Sequence, residues 1–320
     1  MRWRTLLSLT VWGMSLFQAT SRGLGEEQFS TLITLKTGET FVAVQNFLKT
    51  APESEREASC RWLFRTATEF GWEAQVLDEA ISYANSPDAD PSLKALAEQV
   101  RLIGMAQTAG RQEEAVAAFS TVLRQFRLRS PQLGSDLGQG VAMQFQLAGD
   151  QGAARAVYER LSGAFFLNGE VKDWCDRRTR RLELLGKPAP AVTGTTFAGE
   201  AFEGAVLSGK VYLVDFWATN CRPCLEELPK LREIYAEYHP RGLEIVGISF
   251  DENEAALKEF QERQPLPWTI IRNDRLTPER FQVELIPCLV LVDSAGNVAA
   301  TDVSVSHLRG AVRKLLDHHP

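Results

Sequence analysis

The hydrophobic pattern of the chain changes at residues 186–190, where the sequence reads GKPAP. Before this break, apolar residues recur at intervals of three and four, which is typical of amphipathic helices. After it, short runs rich in valine, isoleucine and phenylalanine alternate with helical patterns, which predicts strands alternating with helices. Glycine and proline at this density interrupt both kinds of element. We therefore predict an all-α domain over residues 26–186 and an α/β domain over residues 187–320.

The length and composition of the chain agree with two globular domains. Its 320 residues are about twice the usual domain size. Hydrophobic residues make up 44% and charged residues 24%, which argues against extensive disorder. The formal net charge is -6, and the basic residues are scattered among acidic ones. Because no basic patch is present in the sequence, we expect no nucleic acid partner.

Three glycines, Gly71, Gly110 and Gly149, recur at a spacing of 39 residues in the first half. Each follows one apolar helical segment and precedes another, and Phe119 and Tyr158 each stand nine residues after their glycine. Helix pairs of this kind bury their apolar faces only by stacking on neighbours. The pattern resembles tetratricopeptide-type repeats, lengthened from the usual unit of about 34 residues. A generic antiparallel helical array is the alternative.

The end of the helical half carries its own pattern. Residues 170–185 are predicted to form a closing helix with a polar outer face, which a terminal repeat requires. Cys60 and Cys175 stand at apolar positions of predicted helices. Because a free cysteine packs as a small hydrophobic residue, we expect both to be inert core thiols.

The first 25 residues have the pattern of an export signal. Arg2 and Arg4 precede an uncharged run over residues 5–17, which is too short to span a bilayer. Small residues follow at positions 19–21, where a signal peptidase could cleave. We therefore predict a signal peptide over residues 1–25 and an exported protein, periplasmic or otherwise extracytoplasmic, that is soluble after cleavage. An uncleaved N-terminal membrane anchor is the alternative.

The segment VYLVDFWATNCRPCLEELPKL, residues 211–231, places two cysteines between a predicted buried strand and a predicted helix. Cys221 would lie at the helix N-terminus, where unpaired N–H groups and the helix dipole favour the thiolate over the thiol. Cys224 would lie one turn inside, close enough to attack a mixed disulfide on Cys221. A zinc site needs two further ligands at metal-ligand spacing, and neither the four histidines nor the other three cysteines form a second pair with that spacing. We therefore predict a redox pair, with no metal and no cofactor.

The motif VDFWATNCRPC, followed by EELP, resembles the thioredoxin superfamily and, within it, the exported TlpA/ResA-like branch. The resemblance extends over residues 187–320 and implies a thioredoxin-like α/β sandwich with a central mixed sheet. It implies that Asp215 is the buried carboxylate that accepts a proton from the Cys224 thiol. It also implies that Pro287 is the proline that the family holds cis beside the disulfide. Arg222, a cation beside the first cysteine, is predicted to stabilise the thiolate.

Three positions depart from the family's pattern. Asn220 stands where a tryptophan usually precedes the first cysteine, and Leu285 stands where many relatives have glycine. Cys288 follows the expected cis-proline, where a small hydroxyl or aliphatic residue is commoner. We expect Cys288 to be a small core residue, and a third redox role is the alternative.

The resemblance implies an exported thiol-disulfide oxidoreductase that reduces protein substrates, with Cys221 attacking and Cys224 resolving. Such a protein would need a membrane electron donor, and the helical domain would offer a second surface to a protein partner. Two other functions stay open. A peroxiredoxin-like thiol peroxidase shares the fold, but it needs threonine or serine three residues before its cysteine, where this chain has Ala218. A redox-inactive interaction scaffold is suggested by Asn220 and Leu285.

Overall fold

The computed structural model describes residues 38–126, 131–272 and 275–317. The predicted signal peptide lies outside these residues. Within them, helices occupy the chain up to residue 184, and a mixed sheet flanked by helices follows from residue 193. No helix in the described ranges is both long enough and apolar enough to cross a membrane.

The N-terminal region is built from helices. These helices are α1 (Gly38–Leu48), α2 (Glu53–Phe70), α3 (Leu77–Ala84), α4 (Pro91–Gln107), α5 (Gln112–Phe126), α6 (Pro131–Leu147), α7 (Gln151–Ala164) and α8 (Gly169–Arg181). Aspartate and asparagine side chains cap several N-termini, as Asp90 does for α4 by accepting from the Leu93 N–H at 2.9 Å. The closing helix predicted before the glycine and proline break is confirmed as α8. The assignment to tetratricopeptide repeats stays a prediction.

The regularly spaced glycines lie at the turns between consecutive helices. Gly71 follows α2, Gly110 lies between α4 and α5, and Gly149 lies between α6 and α7, with φ values of 69°, 80° and 74°. Glycine adopts this left-handed conformation without the steric penalty that a Cβ would bring. Phe119 and Tyr158 are fully buried in one shared apolar cluster. The 39-residue spacing therefore reflects a repeated turn and a repeated core position.

The C-terminal region has a five-stranded sheet in the order β5-β4-β3-β6-β7. Its strands are β3 (Val211–Trp217), β4 (Leu243–Ser249), β5 (Thr269–Ile271), β6 (Cys288–Val292) and β7 (Val298–Thr301), after a separate hairpin of β1 (Thr193–Thr195) and β2 (Ala201–Glu203). Strands β3, β4 and β5 are parallel to one another, β6 is antiparallel to β3, and β7 is antiparallel to β6. The helices are α9 (Arg222–Tyr238), α10 (Glu254–Arg263), α11 (Leu276–Arg280) and α12 (Val305–Asp317). The mixed sheet of a thioredoxin-like fold is confirmed.

Four of these elements were not predicted from the sequence: β1, β2, β5 and α11. Each strand among them has three residues and the helix has five. Segments this short do not complete enough periods to show a hydrophobic pattern. The longer strands and helices of this region were predicted, because their patterns extend over seven or more residues or form a hairpin.

Successive side chains of β3 point to opposite faces of the sheet, because strands have a period of two. Leu213 and Trp217 pack in the apolar cluster that contains Cys224. Phe216 packs in the cluster on the other face, together with Cys288. The alternation therefore assigns Asp215 of the same strand to the face that carries the cysteine pair.

The helical region packs directly against the sheet region. Gly71 after α2 and Gly310 in α12 approach so closely that a Cβ on Gly310 would lie 2.7 Å from the Gly71 Cα. Nearby, the guanidinium of Arg309 lies 5.2 Å from the centroid of the Phe70 ring. Met143 of α6 is part of the apolar cluster that includes the sheet and α9. The two regions therefore share a close-packed contact.

Candidate active site

Cys221 and Cys224 are joined by a disulfide at the N-terminus of α9. Cys221 is the N-cap residue of the helix, and its Sγ accepts a hydrogen bond from the Cys224 backbone N–H at 3.3 Å. Cys224 is buried in the apolar cluster, whereas Cys221 is partly exposed. The predicted positions of both cysteines relative to the helix are confirmed. An incoming sulfur would reach Cys221 first.

The loop that leads into α9 is held by Asp251, which follows β4 in the chain. Its carboxylate accepts hydrogen bonds from the backbone N–H of Thr219 at 3.1 Å and from the Thr219 hydroxyl at 2.5 Å. The hydroxyl of Ser249 donates to the same carboxylate at 2.9 Å. Sequence reasoning missed Asp251, because it lies 32 residues from Thr219 and no local pattern links the two. These bonds fix the approach of the chain to Cys221.

Two carboxyl groups lie on either side of the cysteine pair in the chain, Asp215 on β3 and Glu227 on α9. Asp215 is only 2% exposed, and no group of the described residues donates to its Oδ2. Burial, with a smaller contribution from the charge of Glu227, raises the pKa of Asp215 to about 8. Burial alone raises the pKa of Glu227 to about 7. Both groups therefore exchange a proton near neutral pH.

Glu227 belongs to the EELP sequence of the motif, yet the sequence did not show that it would interact with Asp215. The two residues are on different elements, α9 and β3, and they meet only when the helix packs on the sheet. Pro229 lies inside α9, two residues further on.

The peptide bond between Ile286 and Pro287 is cis, as the resemblance implied. Ile286 packs against both apolar clusters, the one that Cys221 contacts and the one that contains Cys288. Leu285, one of the departures from the family pattern, is 58% exposed. The loop therefore presents an exposed apolar side chain two residues before the cis-proline.

Arg222 and Asn220, on either side of Cys221, both face solvent. The Arg222 side chain is 89% exposed, and its Nε donates to the Glu226 carboxylate at 2.9 Å. Asn220 is exposed as well. The charge of Arg222 is therefore shared between solvent and Glu226, and screening weakens its field at the sulfur.

The other three cysteines are buried and do not join the redox pair. Burial raises the pKa of Cys60 to about 11 and that of Cys175 to about 12. Cys288 lies on the opposite face of the sheet, where its thiol donates to Asp302 Oδ1 at 3.9 Å. Burial, and then the charge of Asp302, raises its pKa to about 12. In the part of the chain that the structure describes, no cluster of three histidine, cysteine or acidic side chains could hold a metal ion.

The comparisons with known proteins concern the C-terminal region. The model of the AhpC/TSA family matches residues 185–301. The chain is similar to thiol-disulfide oxidoreductase ResA of Bacillus cereus, with 34% identity over 116 residues, which is 36% of this chain and 66% of that protein. It is similar to ResA of Bacillus thuringiensis, with 30% identity over 135 residues, which is 41% of this chain and 78% of that protein.

Among solved structures, the chain resembles the thioredoxin domain of a thiol-disulfide oxidoreductase from Bacteroides vulgatus. The identity is 29% and the TM-score is 0.39, over 41% of this chain and 96% of that domain. The residues matched by the AhpC/TSA model include the cysteine pair and the cis-proline.

Proposed function

This chain belongs to the family of ResA thiol-disulfide oxidoreductases, and we propose that it reduces disulfides of protein substrates through Cys221 and Cys224. The partly exposed sulfur at a helix N-terminus and its buried partner one turn inside support this assignment. The helix end favours the thiolate that attacks, and burial shields the thiol that resolves.

In the proposed reaction, the Cys221 thiolate attacks one sulfur of a substrate disulfide. The substrate S–S bond breaks, one substrate thiolate leaves, and a mixed disulfide joins Cys221 to the other substrate sulfur. Cys224 then loses its proton and attacks the Cys221 sulfur, which releases the second substrate thiolate. The substrate gains two electrons and, after protonation, two protons, while the protein is left with the disulfide between Cys221 and Cys224.

Asp215 is the proposed acceptor of the Cys224 proton. Its place on the cysteine side of the sheet, its burial and its pKa of about 8 suit a group that takes one proton near neutral pH. Glu227, with a pKa of about 7, would extend proton exchange toward solvent because it is less buried than Asp215.

Pro287 would align the substrate backbone beside the disulfide as a short strand. Arg222 would make only a small contribution, since its charge is solvated and paired.

We further propose export through residues 1–25, a helical domain over residues 26–186 and a redox domain over residues 187–320. A reductant in an oxidising compartment needs a source of electrons, so the proposal includes a membrane electron donor that regenerates the dithiol. The helical domain would offer a second surface to a protein partner.

The position of the cysteine pair at the start of α9 carries this proposal, and insulin reduction with dithiothreitol as electron donor tests it. We expect turnover by the parent, none by Cys221→Ser, and accumulation of a mixed disulfide in Cys224→Ser. Cys60→Ser, a change at a buried cysteine of the helical region, is the matched control and should keep turnover. Peroxide consumption without a disulfide substrate would instead support the peroxidase, and a protein whose two cysteines never cycle would support the scaffold.

A further inference from the structure

The last turn of α8 reaches the loop that carries the cis-proline, although α8 belongs to the helical region. Arg181 is 3% exposed, and its guanidinium forms two hydrogen bonds with the carboxylate of Asp302, at 2.9 Å and 2.5 Å. A third bond runs from Arg181 to the backbone carbonyl of Gln282 at 2.9 Å. Arg180, its neighbour, pairs with Glu284 at 3.2 Å.

These contacts lie on both sides of Pro287. Gln282 and Glu284 precede the proline, and Asp302 accepts the bond from the thiol of Cys288, the residue that follows it. One helix end therefore contacts the segment before the cis-proline directly and the residue after it through one carboxylate. Cys288, which departs from the family pattern, is part of this connection.

The chemistry of the Arg181 contact is better suited to holding the loop in one position than to adding stability to the fold. Two left-handed residues, Gln282 with φ of 55° and Asp302 with φ of 53°, stand at the positions that Arg181 binds. The planar guanidinium can bond a carboxylate and a carbonyl at once in a fixed geometry, which a lysine ammonium does not reproduce. A buried ion pair often adds little net stability compared with apolar residues, whereas removal of one partner is strongly destabilising.

We propose that the last turn of α8, through Arg180 and Arg181, positions the cis-Pro287 loop to receive a protein disulfide. The helical domain thereby becomes part of the redox site. The inference rests on the proposed disulfide exchange for its effect on turnover, and on the loop contacts alone for its effect on structure. Arg180 and Arg181 are positioning residues, because they act through the loop and do not touch the reacting sulfurs.

The first test compares two reactions of the full chain. In Arg181→Lys we expect kcat/KM for insulin reduction to fall about tenfold, mainly through a higher KM, because insulin must dock on the loop. Reaction of the reduced protein with 5,5′-dithiobis(2-nitrobenzoic acid), a small disulfide that needs no docking, should stay within about twofold. Val157→Ala, which opens a cavity in the helical core and leaves Arg180 and Arg181 in place, is the control for lost stability and should leave the ratio of the two rates unchanged. Equal losses in both reactions of Arg181→Lys, or no loss in either, would overturn the inference.

The second test uses the exposed pair, whose variants keep the buried core intact. Arg180→Glu faces Glu284 with a like charge, and we expect insulin reduction to fall about twofold to threefold. Reversal of the pair in Arg180→Glu with Glu284→Arg should restore it. Failure of the reversed pair to recover the loss, or the absence of a loss in Arg180→Glu, counts against positioning by α8.

Hydrogen exchange of the backbone separates this inference from the proposed function. The amides of residues 283–286 and of Cys288 should exchange faster in Arg181→Lys than in the parent, and Val157→Ala should match the parent there. Unchanged exchange at these amides would overturn the inference whatever the activity. A parent without reductase activity that still shows the exchange difference would refute the proposed function and leave the positioning role supported.

Discussion

Asp215 on β3 lies opposite Gly247 on β4 in the parallel register of the two strands. Because Gly247 has no side chain, the indole nitrogen of Trp217 can lie 3.0 Å from the place that a Cβ would occupy. The Trp217 Nε1 and the Asp215 Oδ2 both lack hydrogen-bond partners among the described residues. An ionised carboxylate is costly in such an environment, which is the physical reason for the raised pKa of Asp215.

Asp215→Asn should change how stability depends on pH. The folded pKa of about 8 lies above the ordinary value of 3.8, so between these values the folded protein binds more protons than the unfolded chain. The free energy of unfolding therefore falls as the pH rises, by up to about 1.4 kcal/mol per pH unit. This stabilisation is fully present below about pH 4 and is lost as the pH rises through about 8. Urea denaturation of the oxidised protein at several pH values measures this dependence. The free energy of unfolding should fall less steeply with rising pH in Asp215→Asn than in the parent, and at pH 9 the variant should be the more stable of the two.

The same substitution tests the proposed proton acceptor. Insulin reduction by the parent should rise between pH 6.5 and 8.5 as Asp215 loses its proton, and Asp215→Asn should be slower by about tenfold or more and lose most of this rise. Asp251→Asn, which alters the carboxylate that binds Thr219, should keep the rise. A parental pH profile in Asp215→Asn would exclude the role.

Alkylation of the reduced protein should label Cys221 first. Cys221 is partly exposed at the helix N-terminus, whereas the other four cysteines are buried. We expect iodoacetamide near neutral pH to modify Cys221 at least about tenfold faster than Cys224, as measured by mass spectrometry of peptides. Faster labelling of Cys224 would reverse the assignment of attacker and resolver.

Cys288→Ser should leave disulfide reductase turnover within about threefold of the parent. The side chain lies on the sheet face opposite the redox pair, and a serine hydroxyl can keep the bond to Asp302. The comparison is with Cys221→Ser, for which we expect no turnover. If both variants were equally inactive, the mechanism would need a third cysteine.

Gly310→Ala should weaken the contact between the helical and sheet regions. The new Cβ would lie 2.7 Å from the Gly71 Cα, and neither backbone can move without disturbing its helix or turn. We expect a loss of about 1–3 kcal/mol in the free energy of unfolding. Gly163→Ala, also in a helix but with no atom within 4 Å of the new Cβ, is the matched control and should be neutral or slightly stabilising. Equal stability of the two variants would mean that the contact is not close-packed.

The couple of Cys221 and Cys224 should be reducing. The Cys221 thiolate is stabilised only by one helix N-terminus and by Arg222. The charge of Arg222 is solvated and paired with Glu226, so its contribution is small. The carboxyl groups of Asp215 and Glu227, once ionised, oppose a further negative charge. We expect a midpoint of about -220 to -280 mV in equilibration against glutathione, near glutaredoxins and thioredoxin. A midpoint near about -120 mV would indicate a protein that makes disulfides.

The sequence was sufficient for features that depend on neighbouring residues. We could predict the seven-residue strand β3, the cysteines after it and the helix that follows. This was possible because strand period, helix capping and proline geometry act over a few residues. The glycine turns of the helical region could be predicted for the same reason. The cis peptide before Pro287 was implied by the family motif and not by the local pattern.

Only the tertiary structure decided which distant residues share an environment. Arg181 and Asp302 lie 121 positions apart, and no periodicity marks either as a member of a buried pair. The interaction of Glu227 with Asp215 and the contact of Gly71 with Gly310 likewise exist only after the elements have packed. The raised carboxyl pKa values and the link from α8 to the cis-proline loop follow from that packing, because burial and the distance between charges are properties of the folded chain.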